Sequence, residues 1–208
     1  MTGAPSPVGR VVLLAGPSGS GKSRLADRLH AAHGWPVVRL DDFYRDGDDP
    51  DLPLSPELGI PDWDDPASWD AQAACHALAE LVGTGCTRTP DYDIATSRAV
   101  GHREITAAPD DLVVAEGIFA AEIVDRLRAD GLLHSAWCVR HHRLQTFALR
   151  LVRDLRERRK PPLTLLRRGL RLLRDEPAVV AALVARGARP ASPRQVERAL
   201  SGPVGSPS

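Results

Sequence analysis

The chain has 208 residues, of which 43% are hydrophobic and 26% charged, with 27 basic and 27 acidic side chains and a formal net charge of zero. This length suits one sizeable α/β domain, and this apolar share excludes global disorder. Three irregularly spaced cysteines (Cys75, Cys86, Cys138) with no C-x-x-C argue against a disulfide framework or a zinc site and fit a reducing cytosol.

Residues 1–7 and 201–208 are small residues, Gly, Ser and Pro, and read as flexible tails around a single domain over 8–200. "RVVLLAG" (10–16) is a buried strand, too short for a signal core or a membrane span, so a cytoplasmic protein with no membrane partner is expected. "GKSRLADRLHAAHG" (21–34) has helical spacing, with Gly34 as its stop. "WPVVRL" (35–40) is a second strand. It runs into Asp41 and Asp42 and then an Asp-, Pro- and Gly-rich loop over 45–66. "PASWDAQAACHALAELVG" (66–83) reads as one amphipathic helix, and "CTRTPDYD" with "GHREITA" as a β-hairpin. "DLVVAEG" (111–117) and "SAWCVR" (135–140) are the third and fourth strands. Beyond 160 the pattern gives two amphipathic helices and no clear final strand.

Strands alternating with helices predict an α/β fold whose mainly parallel sheet carries helices on both faces. Ligands of such sheets bind at the carboxyl ends of the strands, so Gly16, Asp41, Glu116 and Arg140 are expected on one rim. The zero net charge hides segregation. Residues 41–70 hold ten aspartates and Glu57 against the single base Arg45, whereas residues 140–174 hold eleven arginines and one lysine. That asymmetry suggests a functional basic surface; two solvated helix faces are the plain alternative.

"GPSGSGKS" (16–23) matches G-x-x-x-x-G-K-[ST] between a strand and a helix, the context that a phosphate-binding loop requires. Gly16, Gly19 and Gly21, with Ser18 and Ser20 between them, let backbone N–H groups wrap a phosphate. Lys22 reaches the β- and γ-phosphates, and Ser23 offers its hydroxyl to Mg²⁺. ATP (or GTP) and Mg²⁺ are therefore the expected cofactors. Glu116 closes the third strand as a hard oxygen donor for the metal, or else caps the following helix. Asp41 sits at the end of a strand expected beside the P-loop strand, where a carboxylate can take the proton of an attacking hydroxyl. Asp42 then orients Asp41, caps a turn, or lies exposed.

"GPSGSGKS", "LDDFYRD", "DWDDPASWD", "PDYDIATSRA", "VVAEGIFA" and "ALRLVRDLRERRK" occur in this order over roughly residues 10–160. That order resembles the uridine kinase family of P-loop nucleoside and small-alcohol kinases. The resemblance implies a P-loop NTPase fold with a small β-hairpin and a basic helical lid. It implies that segments 41–70 and 86–107 form the acceptor site and that 143–175 hold the lid and basic helices. It also implies Asp41 as catalytic base and metal neighbour, with Glu116 beside Mg²⁺. Asp64 would hold the ribose hydroxyls, Trp63 stands where the family has Phe, and Tyr92 would line the base pocket; Phe43 and Tyr44 would start the wall that faces the acceptor or excludes water. From the lid, Arg153 would act in catalysis and Arg150 and Arg158 on the nucleotide, Arg150 also on the acceptor; Lys160 adds a further charge.

Where uridine and cytidine kinases usually have a His after the tyrosine, this chain has Thr96 and Ser97. The expected reaction is γ-phosphate transfer to a primary alcohol, a nucleoside 5′-hydroxyl such as that of uridine or cytidine. Nicotinamide riboside, pantothenate or a glycerate-like alcohol is the neighbouring alternative. A P-loop ATPase on nucleic acid is the reading from another class, and the acidic segment 41–70 argues against a polyanionic partner. The tail after 160 can shape the acceptor pocket, form an oligomer contact or cover the sheet edge.

Overall fold

The computed structural model describes residues 9–17, 19–56, 59–140 and 177–201. The strands are β1 (Val11–Ala15), β2 (Val37–Arg39), β3 (Cys86–Asp93), β4 (Arg98–Thr106), β5 (Val113–Glu116), β6 (Leu133–Val139) and β7 (Arg189–Ala191). The helices are α1 (Lys22–His33), α2 (Ala71–Thr84), α3 (Val124–Ala129), the helical residues 177–185 (α4) and α5 (Pro193–Ser201). Five strands form one sheet in the order β2-β5-β1-β6-β7, and every pairing in it is parallel. The β3–β4 hairpin forms a separate antiparallel ladder.

β1 explains why the sheet is covered twice. Its five residues are all buried: Val11, Leu13 and Ala15 join the cluster under α2, α3 and α4, and Val12 and Leu14 join the cluster under α1 and α5. A strand buried on both faces reads as an unbroken apolar run rather than an alternating one. Each fully buried Leu contributes about 2–3 kcal/mol of burial free energy. Leu25 and Leu29 of α1 and Val196 and Leu200 of α5 close one layer; Leu78 and Leu81 of α2 with Leu127 of α3 close the other.

Four expectations are corrected. First, β2 does not adjoin the P-loop strand, because β5 lies between β2 and β1. β2 pairs with β5 instead, with Arg39 opposite Glu116. Second, a fifth strand exists: β7 pairs with β6 through Trp137–Arg189, Cys138–Pro190 and Val139–Ala191. Pro190 gives no ladder N–H, and proline is tolerated there because β7 is an edge strand. Third, the segment 66–83 is not one helix. A 3-10 turn spans Pro66–Ser68, Trp69 and Asp70 are extended or irregular, and α2 begins at Ala71 and runs on to Thr84. Two aspartates punctuate the break: the Asp65 carboxylate accepts the Ala67 N–H and that of Asp70 accepts the Ala73 N–H, both at 2.8 Å. Fourth, Ser201, assigned to the tail by sequence, closes α5.

Candidate phosphate and acceptor site

Parallel strands bring their carboxyl ends to one rim, and the predicted residues gather there. The loop from Gly16 to Gly21 leaves β1 and enters α1. A Cβ on Gly16 would lie 2.5 Å from the Val139 carbonyl oxygen and 2.8 Å from Ser20 Oγ, so only glycine fits. Gly21 occupies the α1 N-cap position in a left-handed conformation, φ 88°, and supplies no capping side chain. The first amides of α1 are thus left for an anion. Lys22 is buried, and its ammonium donates to the Gly16 carbonyl at 2.9 Å, folding back over the loop. Ser20 is fully buried, and its Oγ has no hydrogen-bond partner.

Glu116 ends β5, 6% exposed. Burial pushes its carboxyl above the usual carboxylate range, and the nearby Asp41 charge pushes the same way. The Lys22 ammonium, a hydrogen bond from the Ser23 hydroxyl and the Arg39 guanidinium oppose that rise. Ser23, Lys22, Asp41 and Glu116 therefore lie within electrostatic reach of one another. Among the described residues no group of three or more His, Cys, Asp or Glu side chains forms a metal cage. Two carboxylates and a hydroxyl still fit Mg²⁺, which takes one or two protein carboxylates and leaves its other positions to phosphate oxygens and water.

Asp41 stands in the 3-10 turn Leu40–Phe43 that follows β2. Its Oδ1 accepts the Ile118 N–H at 3.0 Å. Gly117 lies against it: a Cβ there would come within 2.8 Å of Asp41 Oδ1 and of Leu40 Cβ. Asp42 is half-buried. Burial raises its carboxyl, with Arg103 of β4 and Arg39 of β2 opposing. Phe43, expected to start the wall with Tyr44, turns inward into the core instead and is 4% exposed.

The segments expected at the acceptor site converge on Tyr44. Its ring centroid lies 5.7 Å from Trp63, 6.0 Å from Tyr92 and 6.0 Å from Phe119. Its hydroxyl donates to the Trp63 carbonyl at 3.2 Å. Burial, reinforced by the Asp41 and Asp64 charges, drives the phenol well above its ordinary value. Asp64 is exposed in a turn where its N–H donates to Asp62 Oδ1. Trp69 is buried, stacks obliquely on Phe119 at 5.9 Å and donates its indole N–H to the Leu40 carbonyl at 2.6 Å. Tyr92 donates to the Arg45 carbonyl at 3.0 Å. The Thr96 hydroxyl is taken up by Asp93 Oδ2 at 2.9 Å.

The structure thus brings together Gly16, Gly19, Ser20, Gly21, Lys22, Ser23, Asp41 and Glu116 around the glycine-rich loop, and Tyr44, Trp63, Asp64 and Tyr92 around the Tyr44 ring. Ser18, Arg150, Arg153, Arg158 and Lys160 lie outside the described residues. Sequence reasoning missed Phe119 as part of the wall, although "EGIFA" contained it, and missed Arg39 and Arg103 beside Asp42.

A parallel sheet of this strand order, with a glycine-rich loop between its central strand and a helix, is the P-loop NTPase architecture. Residues 11–190 match the family model described as an AAA domain, and the chain belongs to that family. Its fold is similar to that of a crystal structure described as a "putative fructose transport system kinase" from Silicibacter sp. TM1040. That match has a TM-score of 0.57 at 21% identity and covers 92% of this chain and 90% of the other. A "possible uridine kinase" from Bacillus stearothermophilus aligns with a TM-score of 0.48 at 22% identity, over 67% of this chain and 75% of that one. Among curated proteins, "Inorganic pyrophosphatase TTM2" of Arabidopsis thaliana is 30% identical over 111 residues, which is 53% of this chain. The chain spans 15% of that relative's length. No helix among the described residues is long and apolar enough to cross a membrane.

Proposed function

We propose that this protein is a Mg²⁺- and ATP-dependent small-molecule kinase that transfers the γ-phosphate to a primary hydroxyl, with a nucleoside as the leading acceptor class. The observation that carries this reading is the place of Asp41. Its charge acts on Glu116, on the phosphate side, and on Tyr44, at the centre of the aromatic wall. A carboxylate shared by both halves is where an acceptor hydroxyl would meet the phosphorus.

Each residue then has a task. The loop amides and Lys22 hold the β- and γ-phosphates. Ser23 and Glu116 would hold Mg²⁺, with Asp41 as its neighbour; the ion neutralises phosphate charge when bound. Asp41 accepts the proton of the attacking hydroxyl at its free carboxylate oxygen, while Ile118 holds the other oxygen in place. Tyr44, Trp63 and Tyr92 offer ring faces to an acceptor, and Asp64 offers carboxylate oxygens to its hydroxyls. Arg150, Arg153 and Arg158 retain the lid role that the family resemblance implies.

A nucleoside suits aromatic rings beside carboxylates. The hairpin has no His at the base-reading position, and Thr96 is engaged with Asp93. An acceptor other than uridine or cytidine is therefore the second reading. The test is purified protein with Mg-ATP and a panel of nucleosides, nicotinamide riboside, pantothenate, glycerate and fructose, with products read by mass. A phosphorylated alcohol supports the kinase. ATP or pyrophosphate hydrolysis with no alcohol phosphorylated would overturn it; of the two, only pyrophosphate hydrolysis would favour the activity named for the plant relative.

A further inference from the structure

Three segments far apart in sequence form the acceptor wall: the loop after Tyr44, the turn at 66–68 and the tip of the β3–β4 hairpin. Arg45 touches all three. Its N–H donates to the Ser68 carbonyl at 2.9 Å and its Nε to the Ala67 carbonyl at 3.1 Å. Its Nη1 donates to Asp49 Oδ2 at 3.1 Å, and its carbonyl accepts the Tyr92 hydroxyl at 3.0 Å. A second set of bonds runs beside it. Gly47 N–H donates to the Ser97 carbonyl at 2.7 Å, Ala99 N–H to Asp46 Oδ1 at 2.9 Å, and Arg98 Nη2 to Asp48 Oδ2 at 2.6 Å.

The backbone pays for this contact. Ser97 is in the left-handed region, φ 53°, the one non-glycine residue with positive φ among the described residues. Strain of that kind persists only where surrounding bonds over-determine it. Here the Ser97 carbonyl is held by Gly47, and its hydroxyl lies near the Tyr92 phenol. Gly47 approaches so closely that a Cβ on it would sit 3.1 Å from Ser97 Cβ.

We propose that Arg45 is the positioning residue of the acceptor site: its guanidinium fork and its carbonyl fasten the acidic loop, the 66–68 turn and the hairpin tip together, and so set the spacing of Tyr44 and Tyr92 beside Asp41. This rests on the kinase reading. An exposed ion pair alone is worth little, and the Arg45–Asp49 pair is 33% and 24% exposed. What matters is the planar fork, which reaches a carbonyl and a carboxylate at once; lysine keeps the charge but offers one point of donation.

The test compares wild type, Arg45→Lys, Tyr92→Phe and the double variant. The readouts are KM for acceptor, KM for ATP, and hydrogen exchange at the Gly47 and Ala99 amides. Arg45→Lys is expected to raise acceptor KM by about tenfold, the size of one lost charge-assisted hydrogen bond, with ATP KM unchanged. Gly47 and Ala99 should exchange faster. Tyr92→Phe removes a single oxygen and should fold normally. It should raise acceptor KM by a similar factor, and the double variant should cost less than the product of the two. Wild-type behaviour in Arg45→Lys, a parallel rise in both KM values, or fully multiplicative single effects would each overturn the positioning role. Failure of wild type to phosphorylate any alcohol would overturn the kinase reading and this role with it. Exchange would then separately decide whether Arg45 fastens the segments: unchanged rates would show that it does not.

Discussion

Asp41 Oδ1 accepts the Ile118 N–H at 3.0 Å, tying the turn after β2 to the loop after β5. β2 and β5 are paired neighbours, so this bond carries the sheet register out to the rim. It leaves the second carboxylate oxygen of Asp41 to face chemistry.

Gly117 is the contact through which that bond is made. Gly117→Ala would place a Cβ 2.8 Å from both Asp41 Oδ1 and Leu40 Cβ. The expected result is a loss of stability of about 1–3 kcal/mol, with a larger loss of transfer than of ATP affinity. Denaturant titration and ATP binding by calorimetry check the two parts.

Lys22 folds onto the loop that it serves. Lys22→Ala is expected to weaken ATP binding itself, by about tenfold or more, as removal of a buried charge-assisted donor should. Unchanged ATP affinity would count against the phosphate-loop reading.

Glu116 gives a pH-dependent signature. Burial raises its carboxyl in the folded state above its unfolded value. Between those two values the native state binds the proton more readily, so this group's contribution to stability falls as pH rises through the folded value. Glu116→Gln should therefore raise the Tm of the metal-free protein at neutral pH. The gain should shrink as pH falls toward the ordinary carboxylate range. The same substitution should lower Mg²⁺-dependent turnover, so stability and activity move in opposite directions. Melting curves from pH 4 to 8, with and without Mg²⁺, read the effect.

Trp69 anchors the wall from beneath. Trp69→Phe keeps a ring against Phe119 but strands the Leu40 carbonyl, which accepts the indole N–H in a buried setting. The expected cost is about 1–3 kcal/mol, read by denaturant midpoint. Because Leu40 precedes Asp41, acceptor KM should rise as well.

The rim was legible where chemistry is local. An apolar run followed by "GPSGSGKS" fixes a strand, a loop and a helix start, because each needs those residue types in that order. β7 was not legible: Arg189, Pro190 and Ala191 contain no apolar run, and only pairing to β6 makes them a strand. The split at Trp69 was hidden because "WDAQAACHALAELVG" keeps helical spacing. At the break the backbone pairs instead with the segment after β2, Asp70 N–H to the Phe43 carbonyl and Arg45 N–H to the Ser68 carbonyl, bonds that no local pattern records. The two capping aspartates, Asp65 and Asp70, were the available signal. Phe119 was missed for a like reason, since its partners Tyr44 and Trp69 are remote in sequence. Asp42 had three open roles, and its neighbourhood with Arg39 and Arg103 depends on where the hairpin folds.

The central claim is that one carboxylate serves the acceptor hydroxyl. Asp41→Asn keeps an oxygen that can accept the Ile118 N–H and removes the base. The decisive measurement is single-turnover phosphoryl transfer by this variant, alongside ATP affinity on the same sample. ATP affinity near wild type with transfer slowed by about 10²–10⁴-fold is the expected result. Transfer at the wild-type rate would contradict the assignment.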